Sequence, residues 1–193
     1  MGEVIGFKDK INADVVRNAS SEGRFTIGSK WDWELWRDGK LIDSWSEHNM
    51  VTNEGIDSLL GVGFDAVTQI TEWYICLWKS NTTPLATHTY AVPAYTELPA
   101  TDFDEAARQA FTGVVSDQVI TNSASKATFT VAAGKSYTVY GGALVGGGTA
   151  ADTSEDTAGG GVLFCSSAFT GGSKVVTAAD VLQVTVSITG AHA

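Results

Sequence analysis

The 193-residue chain carries three histidines and two cysteines, and their positions decide which chemistry it could support. His48, His88 and His192 are scattered, and none has a Cys, Asp or Glu at the spacing by which one element presents a pair of metal ligands. A nucleophilic serine would need a Gly-x-Ser-x-Gly elbow, which is missing. Cys76 lies inside the apolar run Trp73-Tyr74-Ile75-Cys76-Leu77-Trp78, where burial disfavours the thiolate that attack requires. It reads better as a small core hydrophobe. The acidic stretch Asp152-Thr153-Ser154-Glu155-Asp156 lacks the glycine and terminal glutamate of a calcium loop, so it reads as solvated surface. Carboxylates remote in sequence could still form a glycosidase pair, though no residue points to one. Arg108 is spaced to meet Asp104 or Glu105 in a local ion pair. The expectation is a protein with no catalytic residue, no metal and no cofactor.

Six tryptophans are the stronger signal: Trp31, Trp33, Trp36, Trp45, Trp73 and Trp78. Core packing accounts for most large aromatics. Trp33 and Trp36, however, fall on opposite faces of one strand, so a single core cannot hold both. At least one is expected to meet a partner subunit or a ligand such as a sugar.

The elements that must position these residues are strands. Trp73 to Trp78 is a short apolar run bounded by Glu72 and Lys79, which predicts a central strand buried on both faces. Trp31, Trp33 and Leu35 alternate with Asp32, Glu34 and Trp36, and Asp38-Gly39 supplies a tight turn into Leu41 to Trp45. Thr52 or Asn53 caps a short helix with Ile56, Leu59 and Leu60 on one face, which Gly61 stops. That helix is expected to plug one end of a sandwich. A long connection, Asn81 to Asp102, is expected to be pinned by Tyr90, Tyr95 and Leu98. Further strands are predicted at Ala127–Val131, at Tyr137–Val145 broken by Gly141-Gly142, at Gly161–Phe169, and at Val181–Ile188. In the third, Val162, Phe164 and Ser166 take one face and Leu163 and Cys165 the other; in the last, Leu182, Val184, Val186 and Ile188 point inward. The fold class is therefore all-β, a single-domain sandwich of jelly-roll or immunoglobulin-like kind, over residues 25–193.

Residues 1–24 form a separate arm. Lys8, Lys10, Arg17 and Arg24 balance Glu3, Asp9, Asp14 and Glu22, so the whole net charge of −10 lies after residue 24. An acidic body without clustered Lys and Arg is a poor nucleic-acid binder. No segment has the apolar length of a membrane span and the N-terminus lacks an apolar signal core, so synthesis in a cytoplasm and free thiols at Cys76 and Cys165 are expected; a disulfide would need their strands to be neighbours. The segment of residues 1–24 reads either as a flexible tail or as an arm that orders on a neighbouring subunit, with Val4, Ile5 and Phe7 as its apolar anchors.

Several segments carry a resemblance. Trp33-Glu34-Leu35-Trp36-Arg37-Asp38-Gly39-Lys40, Asn49-Met50-Val51-Thr52-Asn53-Glu54-Gly55-Ile56, Trp73-Tyr74-Ile75-Cys76-Leu77, Tyr140-Gly141-Gly142-Ala143-Leu144-Val145 and Leu163-Phe164-Cys165-Ser166 recur in this order, so that the chain resembles small virion structural proteins of tailed bacteriophages. The resemblance covers most of residues 31–188, leaves the arm outside, and implies no catalytic residue. It implies a virion protein made in a bacterial host. Size, acidity and the arm favour a capsid decoration (cement) protein bound to the major capsid protein or other virion proteins, with homo-oligomeric symmetry. A tail- or fibre-associated component touching a host surface is the alternative. Val4, Ile5, Phe7, Trp33 and Trp36 are the candidate contact residues.

Overall fold

The structure, a computed structural model, describes residues 25–148, 152–155 and 160–192. Val4, Ile5 and Phe7 lie outside the described residues.

Two antiparallel sheets face each other across one core. The first has strand order β2 (Lys40–His48), β1 (Phe25–Arg37), β13 (Val181–His192), β7 (Val119–Thr121), β6 (Val114–Ser116), with β8 (Ala127–Thr130) also pairing β13. The second runs β3 (Met50–Val51), β11 (Val162–Ala168), β10 (Gly141–Gly146), β4 (Trp73–Trp78), β5 (Gln109–Ala110). A two-stranded ribbon joins β9 (Ser136–Val139) to β12 (Lys174–Thr177). The chain is thus an all-β sandwich, with one α-helix among the described residues, α1 (Asn53–Phe64). No helix among them is long and apolar enough to cross a membrane.

The period-2 alternation of β1 and β13 explains the first inner face. Trp31, Trp33 and Leu35 pair in register with Val186, Val184 and Leu182, and all six are buried. Asp38 and Gly39 both have positive φ, 49° and 72°, the primed two-residue turn that the sequence predicts. Trp33 stands opposite Trp45 on β2 and stacks on it, ring centroids 6.1 Å apart. Trp33 is 1% exposed, so its expected role in a subunit contact is corrected: it is packed among the rings of Trp31, Trp45 and Phe169. Trp36 is half-buried on the outer face, where its Nε1 donates to Glu34 at 3.0 Å.

β4 is an interior strand of the second sheet, between β10 and the short edge strand β5, while β10 holds the central position expected for β4. Ile75 and Leu77 face the inter-sheet core, while Cys76 and Trp78 face a second cluster roofed by Tyr90 and Tyr95 of the long connection. Trp78 packs against Tyr95 with centroids 4.6 Å apart. Cys76 and Cys165 are free and lie in different clusters. Gly141 lets β10 pass: a Cβ there would stand 2.1 Å from the Ser167 carbonyl oxygen and 2.5 Å from the Trp78 ring.

Three expectations are corrected. The register of β11 against β10 shifts between Leu144 and Val145, so Phe164 and Cys165 both enter the inter-sheet core instead of alternating. Phe103 bridges Val131 and Gln109–Ala110 pairs with β4, so Arg108 turns to Glu97 in place of the expected local ion pair with Asp104 or Glu105. The helix runs through Gly61 to Phe64, and its apolar face does not plug the sandwich.

Candidate interaction surface

Two places on the described molecule gather enough chemistry to be weighed as sites. The first is the pocket over β4, about 230 Å³, lined by Tyr90, Pro93, Tyr95, Thr96, Glu97, Arg108 and Glu155. Its charged pair is set by β4. Glu97 bridges to Trp78 on one stretch of chain, and Arg108 directly precedes β5, which pairs with Tyr74 and Ile75. Arg108 donates Nε to Glu97 Oε1 at 2.9 Å and Nη2 to Oε2 at 2.8 Å, and Nη1 donates to the Tyr90 hydroxyl at 3.0 Å. The Glu155 amide donates to Glu97 Oε2 at 2.8 Å.

That arrangement ties three stretches of chain together: Glu97 Oε1 accepts from Arg108, and Oε2 accepts from both Arg108 and the Glu155 amide. Burial is the largest single influence on Arg108 and works against its charged form, but the hydrogen bonds to Glu97 and Tyr90 and the nearby negative charge together outweigh it and raise its pKa. Beneath the pocket, burial pushes the Cys76 thiol up to about 12, and its sulfur lies 3.7 Å from the Tyr95 hydroxyl. Cys165 is pushed up by burial to about 11. Neither sulfur is poised as a nucleophile. Among the described residues, no group of three or more His, Cys, Asp or Glu side chains could hold a metal ion.

The second place is an apolar groove of about 380 Å³ between the start of β1 and α1, lined by Phe25, Ile27, Ile56, Leu59, Leu60 and Phe64. Its floor is fixed at the helix N-terminus. The Thr52 hydroxyl accepts the Gly55 N–H at 3.0 Å and also bonds the Leu163 carbonyl, while the Thr52 N–H donates to Phe164 O at 3.0 Å. Glu54 Oε2 accepts N–H groups from Tyr90, at 2.8 Å, and Leu163, at 2.6 Å. Gly55 is the buried residue of the helix, pressed on the backbone of Phe164. Past that anchor the helix projects its apolar side chains outward, Phe64 being 88% and Leu60 52% exposed, and Phe25 of β1 is 69% exposed across the groove. Asp57 and Asp65, which follow Ile56 and Phe64 in sequence, are exposed as well.

A contiguous exposed apolar face is the mark of an interaction surface. The sequence pattern contains the signal, since Ile56, Leu60 and Phe64 repeat every four residues. Taking Gly61 as a stop hides it. Trp36 lies at the far end of β1 from Phe25, roughly 35 Å away at a strand rise of about 3.3 Å per residue, so the structure does not bring it to the groove.

Compared with protein-family models the chain matches none, and no curated protein matches it.

Proposed function

We propose that this chain is a structural protein of a tailed-bacteriophage virion, a decoration protein that cements the assembled head by adding subunit contacts to the major capsid protein. The observation that carries the reading is the apolar groove of α1 and β1, firmly mounted at one end and open along its length, on a domain whose Arg108–Glu97 pair is engaged within the chain itself. The bacteriophage resemblance of residues 31–188 supplies the virion setting. A single rigid sandwich suits the outside of a shell, where many copies act together although each contact is small. Net charge of −10 fits association with protein surfaces over genome packaging.

The test is location. Gold-labelled antibody against the protein, applied to intact particles of the phage that encodes it, should decorate heads. Label confined to tails or fibres would move the protein to the tail-associated reading, and label on neither would end the virion reading.

A further inference from the structure

The groove needs an occupant, and the chain itself contains a fitting one. Val4, Ile5 and Phe7 form an apolar cluster in a stretch where Lys8 and Lys10 offset Glu3 and Asp9, so the anchors bring no net charge to the groove. The segment of residues 1–24 is neutral, whereas the body carries the whole net charge of −10. Two bodies meeting face to face would repel each other, and a neutral segment laid on a body would not.

Chain length brings a neighbour's groove within reach. The groove's wall begins at Phe25, and the residues just before it, Arg17-Asn18-Ala19-Ser20-Ser21-Glu22-Gly23-Arg24, contain no large apolar side chain to fill it. The anchors stand beyond a spacer, Lys8 to Arg24, that reaches about 55–60 Å when extended. A compact chain of this size has a radius of gyration of about 16 Å, so such a spacer is long enough to span to an adjacent copy.

We propose that the groove of Phe25, Ile56, Leu60 and Phe64 receives the N-terminal segment of a second copy, with Val4, Ile5 and Phe7 as its anchors. This rests on the reading that the protein acts through subunit contacts, and it names which surfaces pair. Each subunit gives one arm and receives another, a heterologous contact of the kind that closes into rings.

Cross-linking of the full-length protein tests it without any phage particle. Two variants are made with distinguishable tags, Gly6→Cys between the anchors and Gly63→Cys beside Phe64, where a Cβ meets open space. The native Cys76 and Cys165 are buried and stay silent. On mild oxidation of the mixture, the dimer joining the two variants should exceed either like-with-like dimer roughly tenfold. Adding Leu60→Asp to the Gly63→Cys chain should abolish that excess. In a double variant, Gly6→Cys with Gly63→Cys, cross-linked multimers should dominate at high concentration. Overturning results are an intrachain disulfide that forms regardless of dilution, which assigns the groove to its own chain, and random or absent cross-linking, which removes the segment as occupant. Because no capsid is present, failure here leaves the head-labelling result standing, and failure of head labelling leaves this result standing.

Discussion

Gly55 lies so close to Phe164 that a Cβ on it would stand 2.5 Å from the Phe164 carbonyl oxygen and 2.8 Å from its Cα. This approach seats the first turn of α1 on β11 and leaves the remaining turns free to form the groove. Both atoms are backbone, which cannot rotate away. Gly55→Ala should therefore destabilise the protein by roughly 1–3 kcal/mol despite alanine's better helix propensity. Urea unfolding of the two forms measures it; an unchanged or raised midpoint would show that the contact relaxes freely.

The buried Arg108–Glu97 fork should cost more to break. Arg108→Met strands a buried carboxylate, with an expected loss of roughly 3–5 kcal/mol. Arg108→Met combined with Glu97→Leu should lose less than the sum of the single changes, because no unpaired charge remains. Denaturant midpoints of the four proteins supply the cycle, and additive losses would mean the pair does not act as a unit.

Both thiols should be silent in the folded protein. With Cys76 held at about 12, the thiolate fraction at pH 8 is on the order of one in ten thousand, and burial blocks access as well. Ellman's reagent should react with both cysteines only at the rate of unfolding. Rapid reaction of one equivalent under native conditions would reveal an exposed thiol and reopen the question of cysteine chemistry.

Asp180 ties the β1–β2 hairpin to the turn before β13. Its carboxylate accepts Arg37 Nε at 2.6 Å and Nη2 at 2.7 Å, together with the Thr177 N–H at 2.8 Å. The Arg37 bonds hold its pKa below the ordinary aspartate value. A carboxyl group lowered on folding favours the folded state above its unfolded pKa of about 3.9 and loses that contribution as pH falls through the folded value. Asp180→Asn should thus melt lower at pH 7, and the difference from wild type should shrink between about pH 4 and pH 2. A difference independent of pH would assign the effect to packing instead.

What the sequence reveals divides along the reach of each signal. Asp38-Gly39 was readable because few residue pairs tolerate two positive φ angles, 49° and 72° here. Leu182, Val184 and Val186 were readable because one strand's alternation needs no knowledge of its partners. The shared core placement of Phe164 and Cys165 depends on a register shift against β10, which no local pattern encodes. Arg108 finds Glu97 only because both flank β4, so sequence proximity pointed it to the wrong carboxylates. The groove was hidden by Gly61. A helix interior tolerates such a glycine at a penalty of about 1 kcal/mol, and here the Asp65 N–H still bonds the Gly61 carbonyl at 3.0 Å.

The central claim is that the protein binds assembled heads as copies linked to one another through the groove. Its most direct measurement is occupancy on heads purified from the phage that encodes it and stripped of this protein. Wild type and the Leu60→Asp variant, both full-length, are added back and counted after sedimentation. One large side chain taken from a buried contact is worth roughly 1.5–3 kcal/mol, so Leu60→Asp should weaken binding at least tenfold while its thermal melting stays near wild type. Wild type should saturate the heads at a stoichiometry fixed by their symmetry. Equal occupancy by the two proteins, or no binding of wild type to heads, would contradict the account.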